Sequence, residues 1–443
     1  MTAAPQPGAD ARRAAACAMM RQEQNGYANL VLAKELDRFC GAAKDRALAA
    51  AIFYGTVERM ATIDWILGRF LARPLRAADA GVRAILRTGL YQARWMDGVP
   101  VHAAVDESVS LCRRMGRGKY AGLVNAVLRR AASFDLAAAR FSNAEERLCV
   151  LYSVSPQVAR LLRNVFPGRC EEILAASFVP PAFSVRANLL RTTPQALCER
   201  FACEGVEARE GDVPGSVVAD WRGKLTSFAP FREGLFHVQG QTSQLACRLL
   251  DARPGQKVVD LCAAPGGKSV TLAQDMENRG RLVCRDAAQN RVPLIDAALR
   301  RLGVTCAETG AADAAEFDGA LCGAQRVLCD VPCSGLGTMA KKPDVRYKTL
   351  EGIDRLVETQ RAILETGARY LEAGGRLVYS TCTLNPAENE DVVREFLRRH
   401  PEFAAVPCEG LPAWAQQGPC GVTVLPLLPQ CDGFFIAPMQ KMR

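Results

Sequence analysis

From about Ala11 to Phe134 the apolar residues recur at helical spacing, with Val82, Ile85, Leu86 and Leu90 marking one such stripe. Val99-Pro100 and the stretch Gly116 to Gly118 interrupt the pattern, so it predicts several helices packed as a bundle. From about Phe141 to Phe236 short helical stretches mix with strand-like runs such as Phe183-Ser184-Val185-Arg186, and Pro180-Pro181 marks a break just before that run. Beyond Pro254 the pattern changes again. Lys257–Leu261, Arg281–Cys284, Arg326–Asp330 and Gly375–Tyr379 read as strands, and helical segments lie between them, the longest from about Ile353 to Leu371. Strand–helix alternation predicts an α/β domain with a mostly parallel sheet and helices on both faces, which places ligands at the carboxyl ends of the strands. The expected organisation is thus a helical domain over residues 1–140, a mixed middle region over 141–236 and an α/β domain over 237–443.

Composition narrows the class. With 443 residues, 49% of them hydrophobic and 23% charged, the chain suits soluble globular domains rather than disorder. No apolar run approaches the ~20 residues of a membrane helix, and Met1 to Arg13 lacks an apolar signal segment. A cytoplasmic protein without a membrane partner is expected. The net charge is +9, and residues 1–150 hold 22 Lys and Arg against 14 Asp and Glu, an excess of eight. That asymmetry suits a segment facing a polyanion such as RNA, with a merely solvated basic surface as the equal alternative. The 18 cysteines include no C-x-x-C pair, and His102, His237 and His400 are the only histidines, so no metal is expected and most of the cysteines should act as small core hydrophobes.

The first α/β strand runs into Asp260-Leu261-Cys262-Ala263-Ala264-Pro265-Gly266-Gly267-Lys268-Ser269. Small residues let a ligand approach the backbone, and the helix that follows offers free N–H groups and a positive dipole end. A dinucleotide fingerprint is absent, and Cys262 stands where a phosphate-binding loop needs its first glycine. An adenosyl cofactor without phosphates remains. Asp286 ends the next strand, where an acid bonds ribose hydroxyls, and Asp313 could bond an adenine amino group in the same way. Alone, either acid would read as a helix cap.

Asp330-Val331-Pro332-Cys333-Ser334-Gly335 and Ser380-Thr381-Cys382-Thr383 follow two further strands. Cysteines at adjacent carboxyl ends flank one crevice. A thiolate that adds to carbon 6 of a cytosine makes carbon 5 nucleophilic enough to attack a methyl sulfonium, and Asp330 is placed to assist at N3 or to meet the methionine end of the cofactor. Two buried structural cysteines are the alternative. For one cysteine among 18 that reading would prevail; for two in polar turns beside an adenosyl loop the chemical reading is the better one.

On these residues the chain resembles the Sun family of RNA cytosine-5 methyltransferases over nearly its whole length. The resemblance implies that Cys262, Ala263, Ala264, Pro265, Gly266, Gly267 and Lys268 form the S-adenosylmethionine loop. It implies that Asp286, Asp313 and Asp330 bind that cofactor, that Cys382 is the nucleophile and that Cys333 helps release the product. Arg186-Ala187-Asn188, Asn385-Pro386-Ala387-Glu388-Asn389-Glu390 and Asp432-Gly433-Phe434-Phe435 also match. Leu90-Tyr91-Gln92, Val99 to Val105 and Val124 to Arg130 are similar to a NusB-type RNA-binding domain, which sets apart the branch acting on bacterial 16S ribosomal RNA. There are departures: Gly240 stands where the family usually has an acid, Val331 where it has alanine, and Ala324-Gln325 where it has Phe-Asp. The expected activity is transfer of a methyl group to carbon 5 of a specific cytosine in 16S ribosomal RNA, by a monomer. The alternatives are another RNA substrate (large-subunit ribosomal RNA or tRNA), a non-catalytic RNA-binding assembly factor, and a small-molecule methyltransferase. The paired cysteines argue against the assembly factor, and the basic helical region with Lys341-Lys342 against a small molecule.

Overall fold

The computed structural model describes residues 9–23, 28–39 and 41–442, so that residues 1–8 of the segment Met1–Arg13 lie outside the described residues. The chain forms two compact units, residues 1–171 with 342–349, and residues 172–341 with 350–443.

The first unit is helical. Its helices include Ala43–Glu58, Met60–Gly68, Ala80–Trp95, Val101–Arg114 and Ala121–Ala132, continuing through Ala144–Leu151 and Pro156–Val165. The predicted stripe of Val82, Ile85, Leu86 and Leu90 is buried against Ile52, Phe53, Ile63, Ile66, Leu67 and Leu128. Each such side chain contributes about 1.5–3 kcal/mol on burial. Helix starts are set by side chains. Asp79 accepts hydrogen bonds from the Gly81 and Val82 N–H groups, and Ser155 caps Pro156–Val165, whose proline suits the first turn. Gly89 lies mid-helix because a Cβ there would run into Ser108 and Leu128. Within the same unit the Tyr347 hydroxyl donates to the Val57 carbonyl at 2.7 Å and lies 2.8 Å from the Ser153 hydroxyl.

The second unit holds two sheets. The smaller is antiparallel, in the order Ala208–Glu210, Ser216–Ala219, Phe183–Ala187, Phe236–Val238, around Val185, Phe201, Val217, Phe228 and Phe236. In the larger sheet five strands run parallel, in the spatial order Leu371–Thr381, Ala324–Asp330, Lys257–Asp260, Arg281–Asp286, Ala307–Ala311. The parallel strands alternate between two cores. Val258, Leu282, Leu328 and Val378 enter one, while Val259, Val283, Val327, Leu377 and Tyr379 enter the other. Burial on both faces is why these runs are almost wholly apolar. The chain winds outward from Lys257–Asp260 in one direction and returns to add Ala324–Asp330 on its other side. That reversal opens a crevice above the carboxyl ends of these two neighbours.

Three features differ from expectation. Ala307–Ala311 forms a strand although Ala-Glu-Thr-Gly-Ala carries almost no β-branched signal; it is an edge strand held by pairing with Arg281–Asp286. Phe434–Lys441 pairs antiparallel with Leu371–Thr381, and Val422–Val424 and Ala415–Gln417 extend that edge. Of the 17 described cysteines six are buried (Cys112, Cys170, Cys247, Cys284, Cys329 and Cys431), and Cys198, Cys262, Cys306, Cys382, Cys408 and Cys420 are partly buried against the hydrophobic cores, so fewer are fully enclosed than expected although most pack on a core.

Candidate active site

The glycine loop leaves the strand Lys257–Asp260 and enters the helix Gly267–Asp275. Gly266 turns the chain at φ 102°, and a Cβ there would press on Ile295. A Cβ at Gly267 would meet only open space, so the helix N-terminus is bare toward the crevice. Beneath the loop, buried Asp260 accepts a hydrogen bond from the Ser269 hydroxyl at 2.7 Å, leaving its other oxygen without a hydrogen-bond partner. Burial and the neighbouring Asp330 push the Asp260 carboxyl up to about 7 against the opposing effect of the Ser269 bond.

Asp286 ends the neighbouring strand and is buried. Its two oxygens accept from the Ala264 N–H at 3.1 Å and the Ala288 N–H at 3.0 Å, which ties it to the glycine loop. Arg291 closes over it, donating to the Ala264 carbonyl at 2.8 Å with its guanidinium 3.5 Å from Asp286. The Ala312 N–H donates to the Asp286 carbonyl, which leaves Asp313 at the end of the third strand. Asp313 is exposed, and its side chain accepts from the Ala315 N–H at 2.9 Å.

The crevice floor is Asp330. One of its oxygens accepts from the Lys268 ammonium at 2.6 Å, the other from the Ser380 hydroxyl at 2.7 Å. Burial alone would lower the Lys268 ammonium, but the Asp330 carboxylate holds it above its ordinary value. Cys333 and Cys382 meet beyond it, with the two sulfurs 3.3 Å apart and the Cys382 N–H donating to the Cys333 sulfur at 3.3 Å. The bond to Cys382, reinforced by burial and the charge of Glu388, pushes the Cys333 thiol well up. Both cysteines are half-buried.

Among the sequence-predicted residues the structure therefore brings together Lys268, Asp330, Cys333 and Cys382, and separately Asp286 with the loop Cys262 to Gly267. Asp313 follows Ala312, which pairs with Asp286, but its side chain bonds only within its own turn. Ser380, Arg291, Ser269, Asp260 and Glu388 were missed as individual site residues. Ser380 and Glu388 lay inside matched segments, and Arg291 sits one short turn after Asp286, where a cation to pair the acid was a usable signal. The Asp-Gly-Phe-Phe match has a physical reason. The Gly433 N–H donates to the Gly337 carbonyl at 2.8 Å, while the Gly337 N–H donates to the Cys382 carbonyl at 3.0 Å. At Gly240, a Cβ would reach 2.9 Å from the Asp432 carboxylate, which instead pairs with Lys341 at 2.7 Å.

This donor set fits an adenosyl cofactor. It offers a bare helix N-terminus for a carboxylate, a fixed acid at a strand end for ribose hydroxyls, and a second, exposed acid one strand further. Among the described residues no cluster of His, Cys, Asp or Glu is arranged to hold a metal, and no helix is long and apolar enough to cross a membrane.

Residues 247–440 match the family model of the 16S rRNA methyltransferase RsmB/F, and residues 9–133 match the NusB family. A probable ribosomal RNA small subunit methyltransferase B from Bacillus subtilis is 31% identical over 96% of this chain and 97% of its own length. The ribosomal RNA small subunit methyltransferase B of Thermus thermophilus is 34% identical over 97% of this chain and 98% of its own. The crystal structure of PH0851 shares the fold, with a TM-score of 0.83 and 24% identity over 99% of this chain and 100% of that one. With its NusB-family helical domain, its α/β methyltransferase domain and relatives of this identity along its whole length, the chain belongs to the ribosomal RNA small subunit methyltransferase B family.

Proposed function

We propose that this chain transfers a methyl group from S-adenosylmethionine to carbon 5 of a cytosine in 16S ribosomal RNA, through a covalent bond between Cys382 and the base. The observation that carries this reading is the meeting of two cysteines, sulfurs 3.3 Å apart, at adjacent strand ends beside the Lys268–Asp330 pair. When bound, the cofactor supplies an electrophilic methyl group. The residues Cys262 to Lys268 would hold its methionine end, Asp286 its ribose and Asp313 its adenine. Residues 1–140 would bind RNA, residues 141–236 would form a middle RNA-binding and linker region, and residues 237–443 the catalytic domain.

The target base leaves its stack to reach the crevice. The Cys382 thiolate forms a bond to carbon 6, and Asp330, taking a proton from the Lys268 ammonium it bonds, passes it to N3 as electron density moves onto carbon 5. After methylation a base takes the carbon 5 proton, the C–H electron pair closes the C5–C6 double bond, the C6–S bond breaks with its pair on sulfur, and Asp330 recovers the N3 proton. Cys333 assists that release by giving its S–H hydrogen bond to the departing Cys382 thiolate, 3.3 Å away. A 16S RNA transcript incubated with the protein and labelled cofactor should gain 5-methylcytosine at one position by bisulfite sequencing. The same RNA made with 5-fluorocytosine should trap a covalent protein–RNA adduct, because fluorine cannot leave as a proton does. Label at another atom or nucleotide, or no trapped adduct, would overturn the reading.

A further inference from the structure

The segment Asn385 to Glu390 has no part in the reaction as drawn, yet it contains the most enclosed carboxylate beside the site. Glu388 is fully buried, and among the described residues no lysine or arginine pairs with it. A charge without a cation in a dry interior is costly unless several donors satisfy it. Here four neutral donors do so. The Ser334 N–H reaches one oxygen at 2.8 Å and the Ser334 hydroxyl the other at 2.5 Å. The Gln360 amide donates at 3.0 Å and the Asn385 amide at 3.2 Å.

These donors belong to the two cysteine turns and their support. Ser334 follows Cys333 directly, and its hydroxyl also meets the Thr383 hydroxyl at 2.6 Å, next to Cys382. Gln360, on the helix Ile353–Tyr370, donates as well to the carbonyl of Pro332, the residue before Cys333. The Tyr379 hydroxyl, from the strand that leads to Cys382, donates to the Glu388 carbonyl at 2.6 Å. Asn389 receives the Thr381 hydroxyl at 2.6 Å and donates to the Thr383 carbonyl at 3.0 Å, bracketing Cys382 on both sides. The segment thus holds both flanks of Cys382 and the Ser334 flank of Cys333 directly, and the Pro332 flank through Gln360, with Glu388 at the centre.

We propose that Glu388 is a positioning residue, which clamps the Cys333 turn to the Cys382 turn and so keeps the two sulfurs in contact for the release step. The proposal rests on the cytosine reading above. It requires that loosening the clamp harm the step that needs both cysteines, while leaving the cofactor loop, built on other strands, unaffected.

The test is Glu388→Gln in the full-length protein, which keeps the shape but turns one acceptor into a donor facing the Ser334 hydroxyl and the Asn385 amide. With 16S RNA, kcat should fall about 10- to 100-fold, the reach of one or two mismatched buried hydrogen bonds. KM for RNA and the cofactor dissociation constant should stay within about twofold. A covalent protein–RNA adduct should accumulate on a denaturing gel. Ser334→Ala should give a smaller effect of the same kind, and the double variant should be no worse than Glu388→Gln alone, because both cut the same link. Unchanged kcat, or loss of cofactor affinity in parallel with kcat, would overturn the proposal. Should Glu388→Gln fail to fold, Ser334→Ala decides, with wild-type kinetics overturning the clamp. Failure of the cytosine reading is separable, because the wild-type protein would then form no adduct with 5-fluorocytosine RNA.

Discussion

Cys333 and Cys382 share one crevice but differ in what touches them. Cys333 lies beside the buried Glu388 charge and receives the Cys382 N–H, and its thiol is held well above its ordinary value, first by the bond to Cys382. A sulfur held as a thiol is a poor nucleophile and a serviceable proton carrier. Cys382→Ser should therefore abolish methyl transfer and the covalent RNA adduct together, since a hydroxyl attacks far more slowly than a thiolate near neutral pH. Cys333→Ser should leave attack possible and slow release, so that adduct accumulates. Denaturing gels of both variants with 16S RNA check this, and adduct from Cys382→Ser but none from Cys333→Ser would exchange the two roles. Asp260 offers a test of a different kind. Its folded carboxyl titrates at about 7 against 3.8 when unfolded, so the folded state holds the proton more tightly. The contribution of Asp260 to stability must then fall as pH rises from about 4 through about 7. Asp260→Asn, neutral and of the same shape, should lack that fall. Urea midpoints at pH 5 and pH 8 that move equally in both proteins would show that Asp260 does not titrate in this window. The cysteines, the glycine loop and Asp286 were readable in sequence because each sits in a motif at a strand end. Ser380, Arg291 and Glu388 were not, since a serine, an arginine or a glutamate announces nothing until its partner is placed in space.

Elements tell a similar story through the join between the small sheet and the α/β domain within the second unit. Arg186 lies on the strand Phe183–Ala187 and is buried, with its guanidinium on Asp275 at 2.6 Å, the Gln274 side chain at 3.2 Å and the Pro214 carbonyl at 3.0 Å. Asn188 donates to the Gly234 carbonyl at 2.7 Å and the Leu302 carbonyl at 2.9 Å. The Arg-Ala-Asn segment thus fastens the small sheet to helices of the larger one. Burial raises the Asp275 carboxyl to about 6 despite the opposing pull of Arg186, so removing the guanidinium leaves an acid with no adequate partner. Arg186→Met should cost about 3–5 kcal/mol of stability by urea unfolding, and adding Asp275→Asn should recover part of it. A loss below 1 kcal/mol, or no recovery, would remove the pair from the join. The main parallel strands and the long helix were legible because burial on both faces leaves continuous apolar runs such as Val258-Val259 and Val327-Leu328-Cys329. Ala307–Ala311 was not legible, because an edge strand is held by its ladder rather than by its side chains. The antiparallel edge around Phe434–Lys441 was hidden for another reason: apolar runs fix that a strand exists, not its direction or its neighbour.

At the scale of the whole molecule the informative quantity is charge. Of the net +9, an excess of eight lies in residues 1–150, which contain the NusB-family region. Arg113, Arg114, Lys119, Arg129 and Arg130 are exposed there, on the helices Val101–Arg114 and Ala121–Ala132 and the turn between them. Arg114 approaches the Glu107 carboxylate at 3.9 Å and Arg130 lies over the Phe70 ring, while Lys119 lies over the Tyr120 ring and Arg129 donates to the Asn125 side chain at 3.1 Å. Arg113, Lys119 and Arg129 share one exposed stretch and, among the described residues, keep their charge uncompensated by an acid, which suits them to neutralise phosphates. Each phosphate contact made by a protein releases counterions and steepens the fall of affinity with salt by about 0.7–0.9 in logarithmic slope. Replacing Arg113, Lys119 and Arg129 together by glutamine should therefore weaken binding to 16S RNA and flatten that slope by about 2–3. Cofactor binding should be untouched, since these side chains belong to a unit separate from the one that contains the glycine loop. Surface glutamines preserve the fold better than deleting residues 1–150, because deletion would strip Tyr347 of its partners at Val57 and Met60. Affinities measured between 50 and 200 mM salt discriminate cleanly. An unchanged slope would mean that the basic surface is solvated and that RNA is held elsewhere. A reduced affinity with an unchanged slope would point to loss of shape or stacking contacts instead of charge.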